Sequence, residues 1–260
     1  MIETISILAG RNKKGEEEPV GRIDLKMGDV VSVVGPTGSG KTTLINDLEL
    51  FAYGNTPTGR KVLIDGVRPP PEYGEDPALN PIALITQHTT FLSDLPVGEF
   101  LETHARIRGG DVAGAVQNTL AFANQLTGEP LVPTIRMTEL SGGQTRSLLI
   151  ADAAIICNTP IVLLDEVENA GIHRGRALEL LRKYRKIFIF VTHDPRIALL
   201  SDFRIVMQSG GITKVLRTDD SERRLLEKVT RIDDTLTGLR EKIRLGAELN
   251  EMELELGGIL

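Results

Sequence analysis

The chain has 260 residues, 41% hydrophobic and 25% charged, with a formal net charge of −6 and no basic block, so broad electrostatic affinity for nucleic acid is not indicated. That length supports one large core or a core with a small appendage. The longest apolar runs, such as Ile187–Val191, are strand-sized and far short of the roughly 18 to 20 residues of a membrane span, and the single cysteine, Cys157, excludes an intramolecular disulfide.

In chain order, the first expected strand covers 2–8, where apolar residues alternate and the basic flank of a secretory leader is missing, so the expected compartment is the cytoplasm. A strand at 20–25 follows a charged segment, Gly10–Pro19, that reads as an exposed loop. The strand Val30–Val34 then runs into Gly35-Pro36-Thr37-Gly38-Ser39-Gly40-Lys41-Thr42 and a helical stretch from Thr43 to Leu48. A glycine loop between strand and helix turns successive backbone N–H groups onto an anion at the helix N-terminus. Gly35 through Thr43 are therefore candidate phosphate ligands, with Lys41 on the terminal phosphates and the Thr42 hydroxyl on a magnesium ion.

Strands are next expected at Lys61–Ile64 and Ile82–Ile85, on either side of a proline-rich loop over 68–81, and Gln87 follows the second. Between 96 and 138 the pattern becomes helical, Val97–Arg106 and Val112–Leu126, which reads as an inserted helical subdomain. Leu140-Ser141-Gly142-Gly143-Gln144 opens another helical run, near whose end Cys157 reads as a buried filler. The strand Ile161–Leu164 ends in Asp165-Glu166, and Ile187–Val191 ends in Thr192-His193-Asp194. Strands at 203–207 and 211–216 complete a largely parallel sheet with an antiparallel patch beside it. Beyond Asp219, apolar residues at Leu225, Val229, Ile232, Leu236, Leu239 and Ile243 form the seam of an amphipathic helix, which fits both packing on its own domain and pairing with another chain.

Taken singly, an Asp-Glu pair is more often a helix cap, and a lone Gln or His a polar loop residue. Here the glycine loop, Gln87, the LSGGQ segment, Asp165-Glu166 and His193 occur in one order, and over about residues 1–217 the chain resembles an ATP-binding-cassette (ABC) ATPase. The resemblance implies an α/β P-loop NTPase fold of ABC type, a nucleotide-binding domain over 1–217 with a helical subdomain at about 96–138, and a C-terminal amphipathic extension over 218–260. ATP and Mg2+ are the implied cofactors. Asp165 would hold magnesium through water, Gln87 would contact magnesium or the lytic water, and His193 the γ-phosphate. Glu166 would orient or deprotonate the attacking water, a role worth about 10²–10⁴-fold in rate. In the family Ser141, Gly142, Gly143 and Gln144 belong to a second set of donors that closes over the nucleotide of an opposing protomer. A homodimer, or a dimer with a closely similar subunit, is therefore implied.

Some positions depart from the family pattern. Residues 1–34 contain no aromatic residue to stack on adenine, an interaction worth about 1–3 kcal/mol in related settings. Arg146-Ser147 and Asp152 replace the usual residues after LSGGQ, and Val167 replaces the usual proline. Ile172 or His173 stands where an aspartate is usual; a histidine there resembles excision-repair cassettes, and the missing proline iron–sulfur assembly ones. His88, His104 and His173 read as ordinary rather than metal ligands. The favoured function is the ATPase subunit of an ABC transporter that relies on a separate membrane-spanning subunit. The alternatives are a soluble ABC ATPase acting on nucleic acid, a metallocofactor assembly or a partner enzyme, and a regulatory module with little turnover.

Overall fold

The computed structural model describes residues 2–109, 111–165, 178 and 180–248. In order the elements are β1 (Thr4–Leu8), β2 (Arg22–Lys26), β3 (Val30–Val34), α1 (Lys41–Glu49), β4 (Lys61–Ile64), α2 (Glu72–Glu75), β5 (Ile82–Ile85), α3 (Val97–Ile107), α4 (Val112–Leu126), α5 (Gly142–Ile155), β6 (Ile161–Asp165), β7 (Ile187–Val191), α6 (Pro195–Leu200), β8 (Phe203–Gln208), β9 (Gly211–Arg217) and α7 (Asp220–Arg244). The chain divides into two units, Met1–Arg217 and Thr218–Leu260.

In the first unit, a six-stranded sheet has the order β5-β6-β7-β3-β8-β9, parallel except for the last pair, and β2-β1-β4 forms a separate antiparallel sheet. β6 and β7 are continuously apolar because both of their faces are covered. Val162, Leu164, Phe188 and Phe190 join one core with Leu101 of α3, Phe122 of α4 and Leu148 of α5. Ile161, Leu163, Ile187 and Ile189 join the other with Leu44 of α1 and Ile5 of β1. By contrast β2 alternates, burying Ile23 and Leu25 and exposing its polar residues, as a strand with one covered face does. At about 1.5–3 kcal/mol for each large side chain buried, these two cores dominate the stability of the unit.

The Gly10–Pro19 segment is mostly exposed, as its charges imply, but it is pinned by a buried residue, Glu18. Arg60, fully buried, donates from Nη2 to Glu18 at 2.5 Å and from Nη1 to Asp47 at 2.8 Å. Glu18 also accepts from the backbone N–H groups of Gly10 and Ile212, and Asp47 from the Thr58 hydroxyl. Buried charge survives where every partner is supplied, and this network fastens the segment to β9 and α1. Within the proline-rich stretch, 72–75 forms a single helical turn.

In the second unit, α7 carries acidic residues in its first turn and basic ones in its last, Lys242 and Arg244, which complements the helix dipole. Leu225, Ile232, Leu236 and Ile243 along its seam remain between 42% and 61% exposed.

Candidate nucleotide-binding site

β3 ends against a loop whose conformation only glycine adopts readily. Gly38 and Gly40 have φ of 78° and 99°, and a Cβ on Gly40 would lie 2.8 Å from the Cα of Gly210 in the β8–β9 turn. Gly40 caps α1 without a side-chain bond, and the first turn holds no acidic residue, so its N–H groups suit an anion. Lys41 is buried and its Nζ donates to the carbonyls of Gly35 at 2.9 Å and Pro36 at 3.2 Å, holding its charge inside the loop.

A cavity of about 360 Å³ opens over this loop. Its walls are Thr37, Gly38, Gly40, Lys41, Thr42 and Thr43 from the loop and α1, Thr86, Gln87 and His88 beyond β5, Asp165 at the end of β6, and Val191 and His193 at the end of β7. The sheet order explains this convergence. β5, β6, β7 and β3 are neighbours and parallel, so their carboxyl ends share one edge, where ligands of open α/β sheets bind. Asp165 pairs in register with Val191, which places His193 just beyond it. Gly35 and Pro36 line an adjoining cavity with Thr192, His193 and Asp194, and Ser39 is buried beneath the loop. Glu166 and the Val167–His173 segment lie outside the described residues.

The LSGGQ segment lies elsewhere. Ser141 caps α5, its Oγ accepting from the Gln144 N–H at 3.3 Å while Gln144 Oε1 accepts from the Ser141 N–H at 3.0 Å. Gln144 is buried, and its amide also donates to the Pro130 carbonyl at 3.3 Å, so its side chain serves the cap. Ser141 and Gly142 are exposed at the helix tip, and no residue from 141–144 lines the cavity.

Two contacts around this site were not anticipated from the sequence, one made by Arg146, noted there only as a departure from the family pattern, and one by Lys13. Arg146 donates from Nη2 to the Gln87 carbonyl at 2.7 Å and from Nη1 to the Gly142 carbonyl at 3.3 Å, linking the loop after β5 to the start of α5. Lys13 lines the cavity and donates from Nζ to the Gly38 carbonyl at 2.8 Å, while its backbone N–H donates to the Ser209 carbonyl. One local signal was present for Lys13: Asn12, whose side-chain oxygen accepts from the N–H groups of Lys14 and Glu16 and tightens the turn.

The three oxygen donors of Thr42, Gln87 and Asp165 border one cavity, and hydroxyl, amide and carboxylate oxygens suit a hard cation such as magnesium.

Comparison with known proteins gives a consistent result. The family model described as ABC transporter matches residues 21–169. An uncharacterized ABC transporter ATP-binding protein of Methanocaldococcus jannaschii is 46% identical over 255 residues, 98% of each chain. An ATP-dependent lipid A-core flippase of Paraburkholderia xenovorans is 33% identical over 199 residues, covering 72% of this chain but 32% of the flippase, so this chain spans about a third of that protein. Among solved structures, a dimeric ATP-binding cassette in a post-hydrolysis state with ADP and Pi superposes with a TM-score of 0.63 at 22% identity, over 83% of this chain and 99% of that one. A cbiO1 subunit from Clostridium perfringens, part of the ABC transporter complex cbiONQ, superposes with a TM-score of 0.64 at 19% identity, over 95% of this chain and 100% of that one.

Proposed function

This chain belongs to the ABC transporter family as an ATP-binding ATPase, and on that premise we propose that two copies, or one copy and a closely similar subunit, close head to tail around two ATP molecules and reopen on hydrolysis. One observation carries the proposal. The glycine loop, Gln87, Asp165 and His193 border one cavity, whereas Ser141 and Gly142 stand exposed outside it and need a second nucleotide to act on.

In this reading residues 1–217 are the nucleotide-binding domain, with 96–138 as its helical subdomain and 218–260 as an appended helix. Backbone N–H groups of the loop and the Lys41 ammonium bind the β- and γ-phosphates. His193 holds the γ-phosphate, and Glu166 orients or deprotonates the attacking water. Magnesium, held by Thr42, Asp165 and Gln87, would neutralise charge on the terminal phosphates. The oxygen donor set supports that assignment.

No described helix is long and apolar enough to cross a membrane. In this reading a membrane-spanning subunit carries the transport path and holds the ATPase at the cytoplasmic face. A docking position is supported by Leu92, fully exposed in the segment after Gln87, and by Ile107 at the end of α3, 76% exposed. The relatives found do not favour a non-transporter role.

Glu166→Gln should slow phosphate release by about 10²-fold or more while keeping ATP-dependent dimers on a sizing column. Normal phosphate release from that variant would exclude the role given to Glu166.

A further inference from the structure

We propose that His104, Asp152 and Cys157 form a site for a zinc-class divalent cation at the end of α5 remote from the Ser141 cap. None of these residues borders the nucleotide cavity, and the proposal does not depend on the ATPase reading.

The site is assembled by the way α5 stops. The N–H groups of Ile156 and Cys157 both donate to the Asp152 carbonyl, at 3.0 and 2.9 Å, which wraps the chain back over the last turn. That fold sets Cys157 Sγ 3.6 Å from Asp152 Oδ2. From the facing helix, α3, the His104 ring presents Nδ1 at 2.9 Å from Asp152 Oδ1 and Nε2 at 3.9 Å from Cys157 Sγ. One ligand atom from each residue falls within 4.8 Å of the other two.

Thiolate, imidazole and carboxylate together make a borderline-soft donor set, which suits zinc and disfavours magnesium or calcium. Zinc bonds of about 2.3 Å to sulfur and 2.0–2.1 Å to nitrogen or oxygen give tetrahedral edges of about 3.3–3.6 Å. The separations of 3.6 and 3.9 Å from the sulfur lie within a few tenths of an ångström of two such edges, and the third edge closes by rotation of the Asp152 and His104 side chains. Without an ion, Oδ1 accepts from Nδ1; a carboxylate held there cannot reach an ion on Nε2 of the same ring, so binding exchanges this hydrogen bond for the ion and turns one ring nitrogen, one Asp152 oxygen and the sulfur onto it. The His104 and Asp152 side chains are 21% and 10% exposed, which leaves an entry edge and a fourth position for water. An ion held here would fasten α3 to α5, the helix whose other end carries Ser141.

Cobalt(II) titration of the full chain, stripped with chelator and free of nucleotide, is the test. Cys157 is the only cysteine, so a thiolate-to-cobalt charge-transfer band reports this site alone. The expected result is a band that saturates at one equivalent, is displaced by zinc, and persists in Lys41→Ala. Cys157→Ser, shown folded by circular dichroism, should lose the band, and His104→Gln should bind at least tenfold more weakly. Zinc should also raise the melting temperature of the wild type but not of Cys157→Ser. The absence of a cobalt band in the wild type, or equal zinc affinity of wild type and Cys157→Ser by calorimetry, would overturn the proposal.

Discussion

On one side of the cavity, the contiguous run from Gly35 to Thr43 forms the loop proposed to cradle the phosphates, and its shape is set by glycine backbone geometry and the Lys41 bond to Gly35. The wall that carries Lys13 is made differently. Its anchor, Glu18, meets Arg60 across 42 positions and the Ile212 N–H across 194. The first construction is local stereochemistry and the second is tertiary electrostatics, so the two should fail in different ways under mutation.

The largest effect expected is on binding. Lys41→Ala should abolish measurable ATP binding by calorimetry with little change in stability, because the side chain is held by two loop carbonyls rather than by a buried ion partner. An unchanged titration would remove the phosphate assignment. Arg60→Ala should show the opposite pattern. It strands Glu18 and Asp47 as buried charges and should cost about 3–5 kcal/mol, read as a lower denaturation midpoint. A variant as stable as the wild type would mean that the network does not hold the Lys13 wall.

A smaller change separates contact from scaffold. Lys13→Ala removes one amine from the cavity without touching the Glu18–Arg60–Asp47 network, so ATP affinity should fall several-fold, in line with about 0.5–1.5 kcal/mol for a hydrogen bond. Lys13→Tyr should favour ATP through stacking on the base, by up to about 1–3 kcal/mol. Equal affinity in all three proteins would place Lys13 outside nucleotide recognition.

The same division governs what could be read from the sequence. Each expected strand is present, because β-branched runs bounded by turns specify strands locally, and the mainly parallel sheet, antiparallel patch, helical insertion and C-terminal amphipathic helix match the observed elements. The ABC-type fold is shared with the solved structures. That Gln87, Asp165 and His193 meet at one cavity could be anticipated because each stands at or just beyond the end of a strand on a shared edge. Glu18, Arg60 and Asp47 were not, since charges that pair across the fold look in sequence like a solvated loop. His104 and Cys157 were read as ordinary, and Asp152 only as a departure from the family pattern, for a related reason. Their chemistry arises only when α3 packs on α5 and the chain turns back after Ile155.

The central claim, that one copy's Ser141 tip completes the site on its neighbour's glycine loop, is tested most directly by mixing two inactive variants. Glu166→Gln keeps the tip but not the base, and Ser141→Arg keeps the base but spoils the tip. Each alone should release phosphate at a small fraction of the wild-type rate, and a mixture should regain activity through the one composite site that pairs an intact Glu166 with an intact Ser141. A mixture no faster than the sum of its parts, across protein concentrations that support dimers, would contradict the account.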